Sequence, residues 1–256
     1  MTHKKINILD TNINTEPLSE LIDASLLSIN NHENPIHFAC ANPHSVVTAK
    51  TDKEFLLALS DADIVVADGT GITLAARLAF AKTLPRITGY DYFYNLLDSL
   101  NKKESGKVFF FGSTEKVLEL IKDNFSALFP NIEIAGTLSP PFRAWSEKEN
   151  DKMLETINAS NADILWVGMT APKQEKWVFQ NRNKLNTPVI GSVGAVFDFI
   201  AGTHPKAPDW MSRYGLEWLY RLIREPKRMW RRNFVSTPKF VMYVLYDLFF
   251  NKKTTK

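Results

Sequence analysis

Short apolar runs alternate with longer stretches whose apolar residues recur every third or fourth position. Pro17–Asn30, with Leu18, Leu21, Ile22, Leu26 and Ile29 so spaced, predicts a helix with one buried face. Ile36–Ala41 is a strand-like run that stops at Asn42-Pro43, and two short helices are expected over Ser45–Lys50 and Asp52–Ser60. Four apolar residues, Ile64–Ala67, then meet Asp68-Gly69-Thr70-Gly71, and a helix follows to about Ala81. Further on the pattern predicts helices at Tyr90–Lys103, 115–129, 146–160 and 172–183. Strands are expected at Lys107–Phe111, Ile132–Thr137, Ile164–Val167 and Val189–Val193, with Ile6–Leu9 a weaker first one. Such alternation with short connections points to an α/β, Rossmann-like fold: a mostly parallel sheet with helices on both faces.

After His204-Pro205 the character changes. From Trp210 the chain reads as helical, basic and aromatic, with Pro226 opening the second of two helices and an apolar stretch, Phe240–Phe250, after Pro238. Two regions are therefore expected, a Rossmann-like body over 1–203 and a helical, basic appendage over 204–256. Charge divides the same way: from His204 to Lys256 there are twelve Lys/Arg against four Asp/Glu, although the whole chain carries only +3. A basic tail on a slightly acidic body suits an anionic surface. Nucleic acid lacks a recognition motif here, which leaves anionic lipid or simple packing on the body. The tail is too short to span a bilayer and suits an interface.

At 256 residues and 45% hydrophobic content the chain can bury a full core. One cysteine, Cys40, excludes an intrachain disulfide and any multi-cysteine metal site. The first residues lack the apolar core of a signal peptide, so cytoplasmic residence is the default expectation.

Parallel strands bring their carboxyl ends to one edge, where open α/β sheets hold ligands. The segments at those ends are polar or glycine-rich: Cys40-Ala41-Asn42-Pro43-His44, Asp68-Gly69-Thr70-Gly71, Gly112-Ser113-Thr114, Pro172-Lys173-Gln174-Glu175 and Gly194-Ala195-Val196-Phe197-Asp198. Asp68-Gly69 is either an ordinary turn or a ligand site in which glycines admit close backbone approach. Pro172-Lys173-Gln174 is either a helix start or a contact to a phosphate or sugar hydroxyl. Asp198 is a cap or a ligand group, and Arg86 a solvated loop charge or a diphosphate contact. Cys40 reads as a small buried residue, and His37 and His44, without metal-ligand spacing, as structural. Neither Gly-x-Gly-x-x-Gly nor the P-loop pattern occurs, which disfavours a nicotinamide-dependent oxidoreductase and leaves sugar nucleotides open.

From Asn42 to about Phe240 the chain resembles the WecG/TagA/CpsF family of bacterial glycosyltransferases, glycosyltransferase family 26. The resemblance is carried by Ala41-Asn42-Pro43-His44, Ala67-Asp68-Gly69-Thr70-Gly71, Arg86-Ile87-Thr88-Gly89, Pro172-Lys173-Gln174-Glu175-Lys176-Trp177, Gly194-Ala195-Val196-Phe197-Asp198-Phe199 and Gly215-Leu216-Glu217-Trp218-Leu219-Tyr220-Arg221. It implies an inverting, metal-independent transferase without a cofactor. The sugar moves from a UDP-sugar donor, N-acetylmannosamine, its uronic acid or a related hexose or uronate, to a polyprenyl-diphosphate-linked acceptor. It further implies peripheral association with the inner face of the cytoplasmic membrane, with a homo-oligomer an open option. On this resemblance Asp68 is the general base, Asn42, Gln174, Arg86 and Asp198 are pocket residues, and Arg221, Arg228 and Arg231 complete the site from the appendage. Cys40 stands where the family commonly has Thr. Gly69 and Gly71 are read as making room for substrate. The rival reading is a non-catalytic sugar-nucleotide-binding protein with a basic, surface-binding tail.

Overall fold

The computed structural model describes residues 3–31, 35–205, 207–208, 210–211 and 214–250, the side chains of Phe80 and Arg228 excepted. It opens with an antiparallel hairpin, β1 (Lys5–Ile8) and β2 (Thr11–Asn14), instead of a first strand of the main sheet. The turn residues Leu9 and Asp10 both take positive φ, 52° and 69°, with no glycine to announce it. The hairpin lies beside the edge of the main sheet, where Asn14 Oδ1 accepts from Val65 N–H at 2.8 Å.

Six strands form that sheet: β3 (Ile36–Ala41), β4 (Ile64–Ala67), β5 (Lys107–Gly112), β6 (Glu133–Leu138), β7 (Ile164–Gly168) and β8 (Val189–Ser192). Their order is β4-β3-β8-β7-β5-β6, and every neighbouring pair is parallel. Both faces are buried, which is why the strands read as continuous apolar runs. Ile64, Val66, Val108 and Phe110 enter the core beneath α1 (Leu18–Asn31), α5 (Gly89–Lys102) and α6 (Glu115–Leu128). Val65 and Ala67 enter a second cluster with α2 (Pro43–Ala49), α3 (Lys53–Asp61) and α4 (Thr70–Phe80). Phe109 and Phe111 enter a third with α7 (Glu147–Ala159) and α8 (Lys173–Asn181). At the centre of the first cluster Phe38 and Tyr92 stack with ring centroids 3.7 Å apart.

α2 starts two residues earlier than its apolar pattern predicts, because Asn42 caps it and Pro43 tolerates the first helical position. After β8 come α9 (Val196–Ile200), α10 (Glu217–Arg224) and α11 (Pro226–Trp230), the last opened by Pro226 as expected. A π-helical turn, Arg231–Ser236, then joins α11 to α12 (Thr237–Phe250). No residue pattern announces that turn. Phe240 and Val244 of α12 are buried with Val46, Ile72 and Ala75, so the last helix shares the core of α2 and α4. Among the described residues no helix is long and apolar enough to cross a membrane.

Candidate active site

The β3–β4 ladder continues one residue past β4, where Asp68 N–H donates to Ala41 O at 2.8 Å. That bond fixes the main chain beneath the Asp68 carboxylate. Gly69 turns the chain into α4 with φ +93°, which an L side chain adopts only under strain, and space for a side chain there is open. Gly71 has another cause: a Cβ would lie 2.5 Å from Pro43 Cγ, so its smallness serves the packing of α4 on α2. Of the two, Gly69 is the one with open space where a side chain would stand.

Three cavities follow the carboxyl edge of the sheet. The first, about 150 Å³, is lined by Cys40, Asn42, Asp68, Gln174, Glu175 and Arg221, among others. The second, about 370 Å³, lies under the appendage and holds Gly69, Gly71, Arg86, Trp218, Asn233 and Phe234. Asn42, Asp68, Glu217, Arg221 and Arg232 line both, so Asp68 stands at their junction. The third cavity, about 390 Å³, contains Lys173 and Asp198 and shares Met169, Thr170, Gly194 and Ala195 with the first. It lies where β5 and β7, adjacent in the sheet, send their connections in opposite directions, a position that favours ligands.

Local folding determines what each residue can offer. Asn42 Oδ1 accepts Ser45 N–H at 3.0 Å, so its amide N–H groups are what remain for a ligand. Gln174 and Glu175 sit in the first turn of α8. Gln174 Nε2 donates to Glu175 Oε1 at 2.9 Å, while Gln174 Oε1 and Glu175 Oε2 are buried and unpartnered. From the appendage, Glu217 accepts from Arg86 Nη1 at 3.3 Å. Arg221 follows one helical turn later, its Nε buried without a partner.

Burial pushes the Asp68 carboxyl up to about 6, against Arg221 and Arg86, which favour its ionised form. It is thus mostly ionised at neutral pH and close to a general base in strength. Burial also raises Glu175 to about 7. The Cys40 thiol is raised well above its usual range by burial and by Asp68 and Glu175 nearby, so it is a neutral group and not a nucleophile. His37, lowered to about 3 by burial, meets Ser192 Oγ at 3.0 Å and serves the core. His44, lowered to about 4 by burial, meets Ser236 Oγ at 2.8 Å and ties α2 to the π-helical turn; it also lines the second cavity.

Of the residues singled out from sequence, Cys40, Asn42, Asp68, Gly69, Gly71, Arg86, Gln174 and Arg221 gather in the first two cavities. Asp198 lies in the third, half-exposed in the first turn of α9 and making no side-chain cap. Arg231 is exposed and lines none of the three, and the Arg228 side chain lies outside the described residues. Helical spacing groups Arg231 with Arg232, yet only Arg232 reaches the site. Glu217 and Asn233 carry no spacing signal of their own.

A parallel, doubly covered sheet whose carboxyl edge joins a buried carboxylate to arginines defines a Rossmann-like α/β protein with a charged cleft at that edge. The chain belongs to the glycosyl transferase WecG/TagA/CpsF family, whose model matches residues 6–254. It is 33% identical over 213 residues to the N-acetylglucosaminyldiphosphoundecaprenol N-acetyl-beta-D-mannosaminyltransferase of Bacillus subtilis (strain 168), covering 83% of this chain and 80% of that one. Proteins of the same name in Bacillus spizizenii (strain ATCC 23059 / NRRL B-14472 / W23) and Staphylococcus aureus (strain MW2) are 32% and 28% identical. They cover 90% and 89% of this chain, and 91% and 87% of their own lengths.

Proposed function

We propose that the protein transfers an N-acetylmannosamine-type sugar from a UDP-sugar to polyprenyl-diphosphate-linked N-acetylglucosamine, with inversion and with Asp68 as general base. The relatives' names supply the acceptor class and the transferred sugar. The observation that carries the chemistry is the position of Asp68, which lines both of two joined cavities. A base for this reaction must touch the acceptor hydroxyl while that oxygen reaches the anomeric carbon of the donor.

In the proposed step an Asp68 carboxylate oxygen takes the proton of the acceptor hydroxyl. The oxygen attacks the anomeric carbon from the face opposite UDP, the new C–O bond forms, and the bond to the β-phosphate oxygen breaks with its electron pair. UDP leaves with an added negative charge, and Arg221, half-buried at the junction, is the residue we assign to stabilising it. This assigns the charge stabilisation to side chains and asks for no metal ion. The donor is read as lying across the first and third cavities, with Gln174 and the Asn42 amide near the sugar and Asp198 towards the nucleoside.

The appendage is read as the membrane-facing side. Trp230, Phe234, Tyr246, Phe249 and Phe250 are exposed there, with Arg224, Lys227, Arg231 and Lys239 exposed among them. Aromatic and cationic side chains so mixed suit the interface of an anionic bilayer, and the polyprenyl acceptor puts the reaction at that surface. Release of UDP from UDP-N-acetylmannosamine that depends on the lipid acceptor tests the reading. UDP binding without such release would favour a non-catalytic binding protein.

A further inference from the structure

We propose that the second cavity is the subsite for the acceptor's diphosphate, gripped by Arg232 and Asn233, consecutive residues of the π-helical turn. The inference rests on the transferase reading above and extends it by giving the two substrates separate cavities.

Two donors in the wall of this cavity are unsatisfied. Asn233 Nδ2 is buried without a hydrogen-bond partner, and so is Arg221 Nε in the same wall. Buried donors left open in a native fold await an acceptor, and a diphosphate offers only acceptors. Arg86 and the start of α4 at Gly69-Thr70-Gly71 line the same space, adding a cation and backbone N–H groups at the positive end of an 11-residue helix.

Asn42, His44 and Thr237 add polar groups, the carboxylates of Asp68 and Glu217 face the same space, the latter paired with Arg86, and the remaining side of the wall is apolar. Pro43, Trp218, Met229 and Phe234 line it, and Trp218 and Phe234 are 46% and 51% exposed, so the cavity runs out onto the aromatic face of the appendage. A lipid chain can leave along that route. The first cavity adjoins the third, which gives it the space for a nucleotide sugar.

The π-helical turn explains which arginine is used. Its wider turn changes the face presented after Trp230, so Arg232 and Asn233 both reach the cavity while Arg231 stays exposed. The Ser236–His44 hydrogen bond, 2.8 Å, holds the turn against α2. Asn233 lines the second cavity and neither of the others, so it separates acceptor binding from donor binding.

The test compares the full-length protein with Asn233→Asp and Asn233→Ser, using UDP-N-acetylmannosamine and a short-chain polyprenyl-diphosphate N-acetylglucosamine. A carboxylate set against a diphosphate should raise the acceptor KM about tenfold or more while the donor KM stays within about twofold. Asn233→Ser, which keeps a donor, should fall between and serves if the charged variant does not fold. Geranyl diphosphate binding, read by tryptophan fluorescence, should weaken in parallel. A rise in donor KM alone, or unchanged constants for both substrates, would overturn the subsite. If the wild type gives no product, the transferase reading fails, yet geranyl diphosphate binding lost in Asn233→Asp would still support the subsite and unchanged binding would reject it.

Discussion

At the scale of residues, the site depends on what burial does to two carboxyl groups. Asp68 is held at about 6 because desolvation outweighs Arg221 and Arg86, which keeps it ionised at neutral pH yet basic enough to accept a proton. The base role proposed for it requires the deprotonated form. The acceptor-dependent rate should therefore rise about tenfold per pH unit below about 6 and level off above, as measured by kcat/KM against pH. Glu175→Gln should leave that limb in place, whereas a limb moving with Glu175 would reassign it. Much of this arrangement is legible in the residues, since Asp68, Asn42 and Arg221 line both of the first two cavities, with Gln174 in the first and Arg86 in the second. The role of Gly71 is not legible, because the ring it must avoid, on Pro43, belongs to an adjoining helix.

At the scale of elements, apolar runs and helical spacing reveal the strands and most helices because both sheet faces are buried, so the signal is long and unbroken. Short α9 is missed, and two further elements escape that signal for identifiable reasons. The β1–β2 hairpin turns through Leu9 and Asp10, which lack the glycine that marks such a turn, and the π-helical turn differs from a helix only in where its hydrogen bonds close. Helical spacing alone puts Arg231 beside Arg232, whereas in the π-helical turn Arg232 lines the cavities and Arg231 is exposed. The contact of α4 with α2 is the element-level support of Asp68. Gly71→Ala drives a methyl to about 2.5 Å from Pro43 Cγ, so the ring or the helix must move. A loss of about 1–3 kcal/mol in stability is expected, read as a lowered midpoint in urea with an unchanged slope. An unchanged midpoint would mean that the two helices separate freely.

At the scale of the whole molecule, the appendage is both a wall of the site and a candidate membrane face. Phe240 and Val244 bury inward with α2 and α4, while Tyr246, Phe249 and Phe250 of the same helix point to solvent. Replacing Lys227 and Lys239 by Ala should cost about 2 kcal/mol of binding to anionic vesicles, roughly 30-fold, and little with zwitterionic ones. Equal binding by the variant in vesicle sedimentation would remove those lysines from the interface. The charge asymmetry and aromatic content of residues 204–256 mark this region in the sequence, but its closure over Asp68 depends on long-range contacts such as Arg86–Glu217. The central claim, that transfer occurs at the junction of two cavities with Asp68 as base, is tested most directly by the turnover of Asp68→Asn. With UDP-N-acetylmannosamine and lipid-linked N-acetylglucosamine, UDP release should fall by about 100-fold or more while UDP affinity stays within a few-fold of wild type. Turnover near the wild-type rate would contradict it.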